Sequence, residues 1–307
     1  MIKAFKKNII IIILFLALSI FILLITTIKT KYCAYMPGAI TKVSNVVEID
    51  GKESSSNYYS TSVYYYENVS LFQKFLYTKL KTVDLYKKGS IPSKIESLQG
   101  EIEHNSALYS SIIAAYDAAN VELDYKYLGT YVYYTDSTTL QVGDVVLGAN
   151  IDECYEDLED YNVNIYRYVN GELKTMTVNI NENDNVWLEY AFYEINNDNI
   201  KIYESNHEGP SAGFMQSLKL YDDLIDENLA TNYKIAGTGT IDEFGNVGAI
   251  GCVDLKIYTA MYNKCDIFFI PTANKEEALK TINEIDTDMT IIFVDTLSEA
   301  ISCLRSL

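Results

Sequence analysis

Between Ile9 and Ile28 the chain reads IIIIILFLALSIFILLITTI, twenty consecutive residues without a charge. A helix of that length rises about 1.5 Å per residue and so covers the ~30 Å hydrocarbon layer of a bilayer. A buried helix of a soluble core rarely runs so far without a polar face. A cleaved signal peptide is the closer rival, but its apolar region is shorter and ends in small residues of the A-x-A kind. Here the run ends in Lys29-Thr30-Lys31-Tyr32, so an uncleaved signal anchor is the expectation. Lys3, Lys6 and Lys7 precede the run and outnumber Lys29 and Lys31 beyond it, which places the N-terminal side in the cytoplasm and the rest outside. Membrane lipid is thus one expected partner, and a single-pass cell-membrane location follows.

Charge separates the same two parts. The 307-residue chain holds 24 basic and 42 acidic residues for a net charge of −18. Five of the lysines and none of the acids lie before position 32, so the 276 residues that follow hold 19 basic and 42 acidic residues, a net charge of −23. Nucleic-acid binding needs lysine and arginine gathered on one face, and no basic run of that kind occurs. Half the residues are apolar, which excludes a disordered tail. Five widely spaced cysteines (Cys33, Cys154, Cys252, Cys265, Cys303) contain no C-x-x-C pair, so neither a zinc site nor a disulfide framework is indicated and no metal or cofactor is expected.

Gly51 to Gly100 looks irregular, punctuated by Ser54-Ser55-Ser56-Asn57 and Gly89-Ser90-Ile91-Pro92, with one β-branched and aromatic strand at Ser60–Tyr66. Ala107–Ala119 has the apolar stripe of a helix, Leu140–Asn150 reads as a turn and strand, and Asp157–Tyr161 as a short helix. Val163–Ile180 alternates on both sides of Asn170-Gly171, a hairpin signal because both residues tolerate positive φ. From Trp187 onward strands and helices alternate: strands near 188–195, 199–203, 233–241, through 250, 266–270 and 290–294, with helices from about 211, near 255–262, at 275–283 and at the end. That alternation implies an α/β domain with helices over a sheet.

Two features in this last part bear on chemistry. Glu208-Gly209-Pro210-Ser211-Ala212-Gly213 sets a hydroxyl among small residues where a loop enters a helix. Small neighbours admit a substrate backbone, and a helix N-terminus offers free N–H groups to a developing oxyanion. By itself such a serine is ordinarily an N-cap. The second feature is the glycine-rich stretch Gly237–Gly251 followed by Lys256. It fits no phosphate loop, since G-x-x-x-x-G-K-[ST] occurs nowhere in the chain.

Together, G-P-S-A-G, then T-G-T-I with a G-x-V-x-x-I-G hairpin, then Lys256, then Phe268-Phe269-Ile270-Pro271, resemble the proteolytic domain of the Lon family over roughly 206–307. That resemblance implies a Ser-Lys dyad: Ser211 as nucleophile, Lys256 as general base, Thr238 orienting the lysine, and Glu208 and Gly209 as supporting residues, Glu208 positioning either the loop or a water. His207 receives no role. The chain departs from the family pattern at two places: Cys252 stands where a second Gly would follow Gly251, and Asn263-Lys264 replaces the usual Ala-Gly before the Asp266 strand. A lysine is a usable base only when neutral, which requires burial or a nearby positive charge; Asp254, if close, opposes this.

The middle of the chain resembles a PDZ domain through Tyr127-Leu128-Gly129-Thr130-Tyr131-Val132 and Val142-Gly143-Asp144-Val145-Val146, although Asn150-Ile151-Asp152-Glu153 lacks the expected turn. The likeness implies peptide binding at Leu128, Gly129, Thr130 and Tyr131 by strand addition. With Tyr35-Met36-Pro37-Gly38-Ala39 after the anchor, the whole resembles membrane-anchored, ATPase-free Lon-like proteases of the YlbL or SepM type. The expected organisation is a cytoplasmic segment 1–8, a span 9–28, an extracytoplasmic β-containing region 32–105, a small mixed α/β PDZ-like domain 106–184 and an α/β Lon-type domain 185–307. The expected activity is ATP-independent cleavage of exported or membrane-associated peptides and proteins, with homo-oligomers left open. The alternative is an inactive, membrane-tethered PDZ scaffold.

Overall fold

A computed structural model describes residues 2–52, 57–149, 161–181, 183–204, 208–230 and 232–307. The turn at 150–153, most of the short helix expected at 157–161, Cys154 and His207 lie outside the described residues. The chain opens with α1 (Ile2–Thr27), then β1 (Tyr32–Lys42), β2 (Val47–Ile49), β3 (Tyr58–Tyr66), α2 (Leu71–Tyr77), β4 (Asp84–Lys87) and α3 (Ser93–Ala118). Five strands follow: β5 (Tyr125–Thr135), β6 (Val145–Leu147), β7 (Tyr161–Val169), β8 (Glu172–Ile180) and β9 (Val186–Ile195). The last part holds β10 (Ile200–Ile202), α4 (Gly213–Ile225), β11 (Ile235–Gly237), β12 (Thr240–Ile241), β13 (Val247–Gly248), α5 (Val253–Tyr262), β14 (Ile267–Pro271), α6 (Lys275–Ile282), β15 (Thr290–Val294) and α7 (Leu297–Arg305).

Within α1, Asn8–Thr27 has a mean hydropathy of 3.4 and is unburied by the rest of the molecule, so it is long and apolar enough to cross a membrane. Beyond it a six-stranded sheet runs in the order β15-β14-β11-β3-β1-β4. β15, β14, β11 and β3 are parallel, and β1 is antiparallel to both β3 and β4. The strand period of two divides its core. Ile235, Ile267 and Phe269 point to the side of α4 and α7, where Phe214, Leu218, Leu297 and Ile301 pack. Ala236, Phe268 and Ile270 point to the opposite side, onto Val253, Ile257 and Ala260 of α5 and Ala278 of α6. Strands covered on both faces read as continuous apolar runs, which is why Ile267–Pro271 is buried at every position.

A second, five-stranded antiparallel sheet runs β8-β7-β6-β5-β9. Its hairpin turns at Asn170 (φ 55°) and Gly171 (φ 83°), as their tolerance of positive φ predicts. Arg167 donates from Nε to the buried Asp144 carboxylate at 2.7 Å and from Nη2 to the Thr139 carbonyl, joining β7 to the turn before β6. One helix serves both sheets. Leu108, Ile112 and Ala115 of α3 enter the core of the six-stranded sheet, while Ile102 and Ile113 meet Tyr131, Ala191 and Tyr193 of the five-stranded one.

These pairings change the expected organisation. The stretch taken as irregular up to residue 100 contains the first turns of α3, so a boundary between 105 and 106 falls inside a helix. Residues 32–87 do not stand apart, because β1, β3 and β4 complete the sheet of the C-terminal domain. β9, expected at the start of that domain, pairs along its length with β5 and so carries the five-stranded sheet into it. The groove expected at Leu128, Gly129, Thr130 and Tyr131 is also corrected. Those residues lie inside β5, where Gly129, Thr130 and Tyr131 face Leu147, Val146 and Val145 of β6, and Gly129 and Thr130 face Phe192 and Ala191 of β9. A strand paired on both sides has no edge to which a peptide adds.

Both places where glycine is replaced adopt left-handed backbone, Cys252 at φ 56° and Lys264 at φ 54°. Side chains with a Cβ are disfavoured there by about 1 kcal/mol. Lys264→Gly is therefore expected to raise unfolding stability by about 0.5–1 kcal/mol, and chemical denaturation of the two forms in one detergent measures it.

Candidate active site

Lys256 sits on the first full turn of α5, and two side chains, those of Asn274 and Thr259, fix that helix. Cys252 stands at its N-terminal boundary. The side chain of Asn274 bonds both backbone groups of Ile250, each at 2.9 Å, which fixes the approach of the chain. Thr259, fully buried, accepts from Gly38 N at 2.9 Å and shares its one hydroxyl proton between the Leu255 carbonyl of α5 at 2.9 Å and the Ser62 carbonyl at 3.3 Å, tying α5 to β1 and β3. A Cβ on Gly38 would come within 2.4 Å of the Ser62 carbonyl oxygen, so only glycine allows this approach.

Ser211 is held from the other side. The strand expected at 233–241 breaks after Gly237, where the chain leaves the sheet to meet the start of α4. Gly239 N donates to the Ser211 carbonyl at 2.9 Å, and Thr238 Oγ1 donates to the same oxygen at 3.2 Å. Phe214 N returns a bond to the Gly239 carbonyl at 3.1 Å. The residue capping α4 is Ala212, with no side-chain cap bond, so the Ser211 hydroxyl is not spent on an N-cap. Among the described residues, the N–H groups of Ser211 and Ala212 have no partner.

The three side chains meet. Lys256 Nζ donates to Ser211 Oγ at 2.7 Å and to Thr238 Oγ1 at 3.2 Å. Lys256 is only 5% exposed, and burial lowers its pKa to about 8; the thiol of Cys252 acts weakly the other way, whereas Asp254 was the group expected to do so. The ordinary lysine value is about 10.4, so a substantial fraction of Nζ is neutral in mildly alkaline water.

Glu208 and Gly209 are placed differently. Glu208 accepts from the Ser97 hydroxyl of α3, and Gly209 N donates to the Gly100 carbonyl at 2.8 Å, with Gly209 at φ +85°. They dock the serine loop on α3 and make no hydrogen bond to Ser211 or Lys256 among the described residues. The helix that receives them was not anticipated as part of the site. Its Glu103, whose carboxyl is pushed up by burial, accepts from Tyr133 and lies beside Gly209. A cavity of about 400 Å³ opens here, bounded by Glu103, Ser106, Tyr190, Pro210, Thr240 and Asp242 among others. Pro210 places its wall next to the serine.

Residues 176–305 match the sequence model of the Lon protease (S16) C-terminal proteolytic domain. No curated protein matches the chain.

The buried lysine has a consequence for stability. Its folded pKa lies below its unfolded value, so folding carries a penalty that is complete below pH 8 and fades as pH rises toward 10.5. Lys256→Met, which keeps the apolar stem and removes the charge, is expected to stabilise the chain by about 2 kcal/mol at pH 7. The gain should shrink above pH 8, as denaturation midpoints of both forms across pH 6–10 would show.

Proposed function

We propose that the chain, whose residues 176–305 match the Lon (S16) proteolytic domain, is a membrane-anchored serine endopeptidase that works without an ATPase. The observation that carries this reading is the 2.7 Å contact between a buried Lys256 Nζ and Ser211 Oγ. Ser211 is the nucleophile, neutral Lys256 the base, and Thr238 the group that holds Nζ in line. As Oγ bonds the scissile carbonyl carbon, its proton passes to Nζ. The unpartnered N–H groups of Ser211 and Ala212 at the positive end of α4 receive the oxyanion. The proton then passes to the amine as the C–N bond breaks. Water, deprotonated by the same nitrogen, hydrolyses the acyl-enzyme and restores the pair.

α1 supplies the anchor, with the N-terminal side cytoplasmic and the acidic part outside. The chain has no phosphate-loop motif to drive unfolding, so its substrates are flexible exported or membrane-associated peptides and segments. The cavity beside Pro210, with Glu103 and Asp242 on its walls, receives substrate side chains. Its carboxylates and the net charge of −23 beyond the anchor favour cationic peptides through the rate of encounter, an effect screened beyond about 8 Å at physiological salt. The scaffold alternative depended on a peptide groove along β5, and both neighbours of that strand occupy it.

The test uses the full chain in lipid nanodiscs with a library of unstructured peptides. Ser211→Ala and Lys256→Ala should each lower kcat/KM by about 10³-fold or more. Thr238→Val, which leaves Nζ one partner short, should lower it by about ten-fold. In the wild type kcat/KM should climb with pH through a midpoint near 8, because activity needs the neutral amine. Turnover that survives both Ser211→Ala and Lys256→Ala would remove the pair from the account.

A further inference from the structure

We propose that α2 is an interfacial membrane helix, its outward face of Leu71, Phe72, Phe75 and Leu76 seated among lipid headgroups and upper acyl chains beside the exit of α1. This rests on α1 being a membrane span.

The helix faces the wrong way for water. Leu71, Phe72, Phe75 and Leu76 are 43%, 45%, 66% and 42% exposed, and no residue of α2 is buried. Its inward positions are the polar ones. The Gln73 amide accepts from Ser70 N at 2.8 Å and donates to the Tyr77 hydroxyl, and Lys74 Nζ lies 3.4 Å from the centre of the Tyr32 ring. Positions i, i+1, i+4 and i+5 form one continuous stripe, so the four apolar side chains make a single patch. In a soluble protein the polar and apolar faces of such a helix are exchanged.

Its position identifies what covers the patch. Leu71 N donates to the carbonyl of Ile28, the last residue of the uncharged run, at 3.1 Å. Thr30 N donates to the Val69 carbonyl and Val69 N to the Tyr32 carbonyl, each at 2.9 Å, and Lys29 pairs with Ser70. The first turn of α2 is therefore hydrogen-bonded to the boundary of the hydrocarbon layer, with no tether between span and strand. A reciprocal cap between Ser70 and Gln73 fixes the start of the helix at that level.

Charge agrees with lipid as the occupant. In a chain of net charge −18, Lys29 and Lys31 follow the apolar run and Lys79 follows α2, where Lys79 Nζ lies 6.0 Å from the Phe75 ring, as a lysine stem extends over an apolar surface toward phosphate. A seven-residue helix holds weakly by itself. Here α1 supplies the attachment and α2 sets the tilt, so the protease domain is presented to the membrane surface at a fixed orientation.

Tryptophan quenching by brominated lipid tests this in the full chain. Trp187, 53% exposed on β9, is the natural reporter and the only tryptophan. In a Trp187→Phe background, Phe21→Trp places a reporter in the span and Phe75→Trp one on α2. The proteins are reconstituted in phosphatidylcholine–phosphatidylglycerol vesicles with and without bromine on the upper acyl chain, and circular dichroism checks that each is folded. The expected result is a fluorescence loss of about two-fold or more at both introduced tryptophans and little loss at Trp187 in the wild type. Quenching at position 21 but not at 75 overturns the assignment of α2 while leaving the anchor. Position 75 unquenched and cross-linking between copies as Phe75→Cys also overturns it, a second copy then covering the face. Absence of quenching at both positions removes the anchor reading and this proposal together.

Discussion

A lysine amine taken out of water and set 2.7 Å from a serine hydroxyl is the constraint around which the rest of this structure is arranged. An ammonium group in such a place is costly, and its pKa falls until the neutral form is accessible. Burying it requires walls on every side. The α5 helix is pressed onto β1 and β3 through Thr259, and Asn274 fixes the chain that leads into it. Strand β11 ends early so that Thr238 and Gly239 can grip the serine carbonyl. Burial of the amine costs stability, a compromise of the kind expected of the proposed catalytic pair.

Much of this was legible in the sequence where residue type and local conformation coincide. The continuous apolar run at 267–271, the Asn170-Gly171 turn and the small residues around Ser211 each specify their own structure. Partnership between distant segments is another matter. Tyr58–Tyr66 reads as a strand, but nothing in its β-branched and aromatic residues says that it lies beside β11, far along the chain. The likeness of Leu128–Tyr131 to a peptide-binding loop failed for the same reason, since a strand's composition does not reveal whether its edges are taken. The helix α3 was missed over its first turns although Pro92 with Glu96 soon after is a helix-start signature. The punctuation before it, Gly89-Ser90-Ile91-Pro92, outweighed that signal. With it went Glu103 and the docking of Glu208 and Gly209.

Helix α3 also links the two sheets. It carries the serine loop on Ser97 and Gly100, walls the cavity with Glu103 and Ser106, and packs on Tyr131 and Tyr193 of the five-stranded sheet. The Tyr193 phenol, raised in pKa chiefly by burial, also feels the Glu243 carboxylate at the tip of the β12–β13 hairpin. At the opposite end of the chain, β1 starts shortly after the apolar helix α1, so the strands that support Lys256 are continuous with the proposed anchor.

The central claim, that Lys256 is the base that activates Ser211, is tested most directly by covalent labelling of the full chain with a serine-directed phosphonate, followed by peptide mass spectrometry. The account predicts a single adduct on Ser211, formed at a rate that rises with pH through a midpoint near 8 and lost in Lys256→Met. Labelling of Ser211 at a rate indifferent both to pH and to Lys256→Met would contradict it.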